Sequence, residues 1–180
     1  SLPCLVLSGG SLTGASSTAA RTRLVVHVSF TLAQLSVATL SKKDFKTKKP
    51  SVNIIGCVSL GFHHQHDVVE LKRLFADLGI DINLVVPEGI SVNQLSKLTQ
   101  AWFNFIPYKE IGLLTANYLS NNYKMPFVNI TPIGILQISS CIKEIQGILN
   151  SMGYQVNYSS YIEQQMKSVS QSAWFSRSID

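Results

Sequence analysis

The stretch from Ser51 to Val86 limits the possible folds more than any other part of the sequence. Ser51-Val-Asn-Ile-Ile-Gly56 is a short apolar run closing on glycine, the pattern of a buried strand that feeds a loop. Asp67 to Gly79 then carries apolar residues at 68, 71, 74, 75 and 78, which is helical spacing. Asp67 is placed to cap the amino end of this helix, Glu70 to complete a capping box, and Gly79 to supply a left-handed stop. Ile80 to Val86 reads as a second strand, halted by Pro87-Glu88-Gly89. A strand, a capped helix and a strand in that order make a right-handed crossover with a parallel pair.

The alternation continues. A short helix at Ser91–Leu98 precedes a strand at Ala101–Ile106, and a longer helix is expected from Tyr108 to Asn121 with Ile111, Leu114, Tyr118 and Leu119 on its apolar face. Pro126–Ile130 reads as a strand entering the turn Thr131-Pro132-Ile133-Gly134. Residues 136–151 form an amphipathic helix ending before Gly153, and Tyr158–Arg177 is helical again. The expected fold class is α/β, an open doubly wound and mostly parallel sheet with its loops at the carboxyl edge, incomplete at its C-terminal end.

Composition decides how many cores this can be. The 180 residues are 46% hydrophobic and 14% charged, enough for one core and scarcely two. Polar residues interrupt every apolar run before the ~18 residues a membrane span needs. The net charge of +5 is unevenly placed: residues 1–50 carry seven Lys or Arg against Asp44 alone, whereas residues 51–180 carry eight against nine acids. A basic pI that belongs to the leading segment argues poorly for a nucleic-acid-binding face on the body.

Lys42-Lys43-Asp44-Phe45-Lys46-Thr47-Lys48-Lys49-Pro50 reads as a solvated linker. Residues 1–41 before it lack any acidic residue and are rich in Ser, Thr and Ala, the composition of an organelle transit segment. A divergent helical lead-in over Thr31–Leu40 and sequence foreign to the domain are the alternatives. The expected division is therefore a basic leader or linker at 1–49 and an α/β region at 50–180. Cys4, Cys57 and Cys141 are odd in number and far apart, which suits a reducing compartment.

Functional residues in such a fold lie in the loops after strands. His63, His64 and His66, with Asp67, could bind a metal, or they are ordinary loop histidines or part of a partner surface. Gly56 and Gly61 form no GxGxxG or Walker pattern, so no nucleotide phosphate is cradled here. Glu88 projects at a turn where no paired group is evident, and Trp102, Phe103 and Phe105 read as packing rather than a cofactor box. Thr131–Gly134 sits where ligand contacts are common. No catalytic triad assembles, and without a Cys-x-x-Cys spacing the chain cannot hold an iron–sulfur cluster alone.

Seven strings carry a resemblance: Pro50-Ser-Val-Asn-Ile-Ile-Gly56, Leu60-Gly-Phe-His-His-Gln-His-Asp67, Glu70-Leu-Lys-Arg-Leu74, Asp77-Leu-Gly-Ile80, Pro87-Glu-Gly89, Ala101-Trp-Phe-Asn104 and Ala173-Trp-Phe-Ser-Arg-Ser-Ile-Asp180. In this order, over residues 48–180, the sequence resembles the B-subunit family of light-independent (dark-operative) protochlorophyllide reductases, which are nitrogenase-like enzymes. It departs from the family pattern at His64, where Asn is expected, and at Ile133, where Met is usual.

The resemblance implies a nitrogenase component 1-like, Rossmann-like domain within a longer subunit. It implies a heterotetramer of N and B subunits that reduces one ring double bond of protochlorophyllide to give chlorophyllide. Electrons come from an ATP-hydrolysing L protein with its own cluster, loaded by reduced ferredoxin. A 4Fe-4S cluster lies between N and B, and its ligand from B belongs upstream of the matched region, so no metal ligand is assigned here. Asp180 resembles the family's proton donor to the substrate, and Trp174 and Phe175 could flank a flat ligand or pack in a core. The pathway implies a plastid stroma, or the cytoplasm of a photosynthetic bacterium. Two alternatives stay open: a non-catalytic α/β binding module with a basic arm at Lys42–Lys49, and a nitrogenase-like paralogue acting on another tetrapyrrole.

Overall fold

A computed structural model describes residues 46–57, 64–87 and 90–177. Its elements follow the order β1 (Ser51–Cys57), α1 (His64–Asp77), β2 (Asp81–Pro87), a 3-10 helix (Val92–Gln100), β3 (Phe103–Phe105), α2 (Lys109–Tyr123), β4 (Phe127–Val128), α3 (Ile135–Ser151) and α4 (Ser159–Arg177). The strands form one parallel sheet in the order β2-β1-β3-β4. The chain leaves β1 in one direction to make β2, then crosses back to lay β3 on the other side. The expected α/β architecture is therefore present, with its reversal point between β1 and β3.

Every residue of β1 is buried, as a central strand covered on both faces must be. One layer packs Val52, Ile54, Phe103, Phe105 and Val128 against Val68, Leu71, Phe75 and Leu78 of α1 and Cys141, Ile142, Ile145 and Leu149 of α3. Phe75 sits at its centre, its ring 5.2 Å from that of Phe105 and 6.4 Å from that of Phe103. The opposite layer packs Ile55, Leu84 and Val86 against Leu95 and Leu98 of the 3-10 helix and Leu119 of α2. The aromatic residues 103 and 105 are thus core, as their pattern suggested, and Trp102 donates its indole N–H to the Thr47 carbonyl at 2.8 Å.

Polar groups stitch the same sheet. The Asn53 amide donates to the Leu98 carbonyl and to Asn104 Oδ1, both at 2.8 Å, and its oxygen accepts from Asn83 Nδ2 at 2.7 Å. Asn83 is an extra residue: Val52 pairs with Ile82 and Asn53 with Leu84, so the register steps by one at this point. A second step falls between Ile55 and Cys57, where Gly56 takes φ +103°.

Three local expectations need correction. α1 starts at His64, so Asp67 lies inside its first turn rather than at the cap, and Glu70 faces Arg73 at 4.0 Å instead of closing a capping box. The side of α2 that packs is Gly112, Thr115, Ala116 and Leu119, whereas Leu114 is 52% exposed. The reason is steric: Gly112 lies against the Ile55 carbonyl so closely that a Cβ there would sit 2.6 Å from its oxygen, and only small residues permit that approach. Within the stretch read as a solvated linker, Lys48 and Lys49 are exposed. Lys46 and Thr47 instead are tied down, Lys46 Nζ donating to the Thr99 and Ala101 carbonyls and the Thr47 N–H to that of Gln100. The stop at Gly79 stands as expected, with φ +70°.

Candidate functional site

The carboxyl ends of β3 and β4 open into a cleft of about 430 Å³. α1 forms one wall with Asp67, Leu71, Leu74 and Asp77; Pro107 and Tyr108 follow β3; Thr131, Pro132 and Ile133 follow β4; Tyr161 and Gln165 of α4 close the far side. A crevice outside the carboxyl ends, at the point where strand order reverses, is where parallel sheets of this kind present their ligands. The loops that build it are cross-braced, since Thr131 Oγ1 donates to the Pro107 carbonyl at 2.7 Å.

Its polar centre is a pair that no local pattern signals. The Tyr108 hydroxyl donates to Asp67 Oδ2 at 2.5 Å, across 41 positions of sequence. Burial comes first, and the bond to Asp67 and its negative charge second, in pushing the phenol up from 10.0 to about 12. Tyr108 therefore stays a proton donor throughout the neutral range, and Asp67 accepts. Asp77 accepts in the same way from the Tyr161 hydroxyl at 3.2 Å. The cleft can bind and orient a ligand with polar groups on an apolar body; among the described residues that line it, no nucleophile stands beside a base.

The residues singled out from the sequence fall unevenly about this cleft. Asp67 and the Thr131–Ile133 turn are brought together in it. His66 is exposed on α1, and His63 and Glu88 lie outside the described residues, as does Asp180. Trp174 and Phe175 lie on α4. Tyr108, Asp77 and Tyr161 were missed. The one available hint was position, because Tyr108 follows the strand next to the reversal point.

Iron–sulfur ligation can be tested on the side chains themselves. Among the described residues no three His, Cys, Asp or Glu side chains converge on a common point. Cys57 and Cys141 are buried in the core beside α1 and α3. Burial, and next the charge of Glu144, pushes the Cys141 thiol up to about 12, the reverse of what a metal thiolate requires. The described residues do not fit a cluster. No helix among them is long and apolar enough to cross a membrane.

A parallel sheet of order β2-β1-β3-β4, layered by helices and opening at its reversal point, defines a class. The chain belongs to the nitrogenase component 1 type oxidoreductase family, whose profile matches residues 12–176. Iron–sulfur clusters are the kind of cofactor that this family implies. Among curated relatives, the B subunit of the light-independent protochlorophyllide reductase of Pyropia yezoensis is 62% identical over 135 residues. The proteins of that name from Synechocystis sp. and Nostoc punctiforme are 58% and 56% identical over the same length. The match takes in 75% of this chain and 27% of each relative, so the chain spans about a quarter of their length. A solved structure described as "Nitrogenase Cp1 at pH 5" superposes with a TM-score of 0.66, covering 89% of this chain and 30% of that one. Its 14% identity makes it a likeness of fold alone.

Proposed function

We propose that this chain supplies part of the B-type subunit of a light-independent protochlorophyllide reductase. The single observation that carries the reading is its 62% identity, over 135 residues, to a subunit of that name. In this reading the enzyme adds two electrons and two protons across one ring double bond of protochlorophyllide, giving chlorophyllide. An ATP-hydrolysing L protein supplies the electrons from ferredoxin, and the catalytic component pairs B with an N subunit in a heterotetramer. The 4Fe-4S cluster of that component is held by N and by an aspartate of B upstream of the matched region. The proposed setting is a plastid stroma or the cytoplasm of a photosynthetic bacterium.

This chain's own contribution is Asp180. A ring carbon that has gained an electron becomes basic, and a neutral carboxylic acid beside it can hand over a proton on one face. Burial against an apolar macrocycle raises a carboxyl pKa and keeps that proton in place until it is needed. Trp174 and Phe175, just upstream in sequence, are of a residue type whose rings suit a flat substrate.

The test is product formation by the assembled component that carries this sequence, supplied with L protein, ATP and reduced ferredoxin. Chlorophyllide should form, and Asp180→Ala should assemble normally yet lose most turnover. An assembled component that makes no chlorophyllide overturns the subunit reading. Normal turnover by Asp180→Ala overturns the proton-donor role.

A further inference from the structure

The cleft between α1 and the loops after β3 and β4 is more acidic than the fold around it. Among the described residues that line it, Asp67, Glu70 and Asp77 stand against Arg73, whereas residues 51–180 together carry nine acids against eight bases. Arg73 is itself drawn toward Glu70, 4.0 Å away. Hydrogen bonding sharpens the imbalance. A phenol has one hydrogen to give, and Tyr108 gives it to Asp67 and Tyr161 to Asp77. What those four side chains can still offer an incoming group is lone pairs. A phosphate or a carboxylate would bring acceptors to acceptors, while an ammonium or guanidinium would find charge-assisted partners.

The shape argues for a polypeptide. Positions 67, 70, 74 and 77 recur along one side of α1, a stripe of roughly 15 Å at about 1.5 Å per residue, which matches about four residues of extended chain at about 3.3 Å each. Leu71 and Leu74 lie between the acids. Ile133, on another wall, is 75% exposed, and Leu136, in the first turn of α3, is 74% exposed. Large apolar side chains open to water beside a charged trough mark a protein contact rather than a pocket for a small cation. The curated relatives carry about three quarters of their length outside the stretch that this chain matches, which is polypeptide enough to cover it.

We propose that the cleft seats a short segment of the longer subunit, from outside this chain, in which a Lys or Arg is flanked by apolar residues. The cation sits on Asp67, the least exposed of the three acids, and its apolar neighbours lie on Leu71, Leu74 and Ile133. This rests on the reading of the chain as part of a longer B-type subunit. A segment tethered in the same polypeptide is present at high effective concentration, so a contact of this modest size suffices to hold it.

Photo-cross-linking in the assembled component tests this, with p-benzoyl-phenylalanine substituted for Ile133 in the full subunit and the cross-linked peptide sequenced. The cross-link should fall in the same subunit outside these 180 residues, within about four residues of a Lys or Arg, and should leave the chain mass on a denaturing gel unchanged. Asp67→Asn keeps an acceptor for Tyr108 but removes the charge, and should cut the yield by about threefold or more. Neutralising the Lys or Arg so identified should do the same, and the two losses together should not add. No cross-link, or one within these 180 residues, to the N subunit or to a second copy of B, overturns the inference. An unchanged yield in Asp67→Asn, or losses that add, overturns it as well. Chlorophyllide formation by the unsubstituted component keeps the two readings apart: product without the cross-link overturns the docking groove alone, and no product overturns the subunit reading on which it stands.

Discussion

Two glycines on helices of opposite layers should respond to the same substitution with opposite sign. An alanine Cβ at Gly112 would meet the Ile55 carbonyl oxygen at 2.6 Å, Ile106 Cγ2 at 2.8 Å and the Ile55 carbonyl carbon at 3.2 Å. The Ile106 methyl can rotate aside, but the carbonyl belongs to the central strand and cannot. α2 must back away by several tenths of an ångström, loosening Leu119 and Ala116 against the sheet. Overpacking of this kind costs about 1–3 kcal/mol, against a helix-propensity gain of about 1 kcal/mol for Gly→Ala. Because the fixed partner is backbone, we expect Gly112→Ala to lose about 1–2 kcal/mol net. Gly147, inside α3, is exposed and has nothing within 4 Å of the same added carbon. Gly147→Ala should therefore gain about 0.5–1 kcal/mol. Urea unfolding of both variants beside the parent chain reads the difference as a split in midpoints at constant slope. If Gly112→Ala stabilises as much as Gly147→Ala, the close approach of α2 to β1 is wrong, and with it the account of why small residues face the sheet.

Two further outcomes follow from the polar groups. Asn53→Ala strips a donor from the Leu98 carbonyl and from Asn104 Oδ1, at about 1–3 kcal/mol for a buried group left unpaired. Asn53→Asp should be worse, since it sets an acceptor against two acceptors; urea midpoints in the order Asn, Ala, Asp check this, and any other order refutes it. Tyr108 should titrate near 12 rather than 10, seen as the difference in phenolate absorbance between the parent and Tyr108→Phe. Its folded pKa is raised, so its contribution to stability is complete below pH 10 and disappears as pH climbs through about 12. Asp67→Asn should move the titration part of the way down, because burial, the larger cause, remains. A phenol that ionises near 10 in the parent refutes the pairing.

What could be read from the sequence was whatever depends on near neighbours. The stripe at 68, 71, 74, 75 and 78 and the Gly79 stop are local, and the structure packs α1 on those positions. The start of α1 was not legible, because His64-Gln65-His66 carries no capping residue and Asp67 resembles one. β3 and β4 are shorter than their apolar runs, at three and two residues, since a strand ends where its partner's hydrogen bonds end. The packed face of α2 was misjudged at Leu114 because hydrophobicity alone cannot show that a glycine has drawn a different side inward. The cleft shows the same division. Its location follows from strand order, whereas its Tyr108–Asp67 pair joins residues 41 positions apart and exists only once the sheet has assembled.

The asparagines solve a difficulty that the central strand creates for itself. β1 is apolar toward both layers, so sliding it by one notch would exchange one greasy neighbour for another at little cost, and burial alone would leave its alignment loosely determined. Asn83, Asn53 and Asn104 work as a vernier across three adjacent strands: their amides coincide at a single setting, and any slip strands several of them in an interior without water. The polar residues at the heart of this sheet thus keep the strands in step, which in turn keeps the mouth of the cleft the same shape in every molecule.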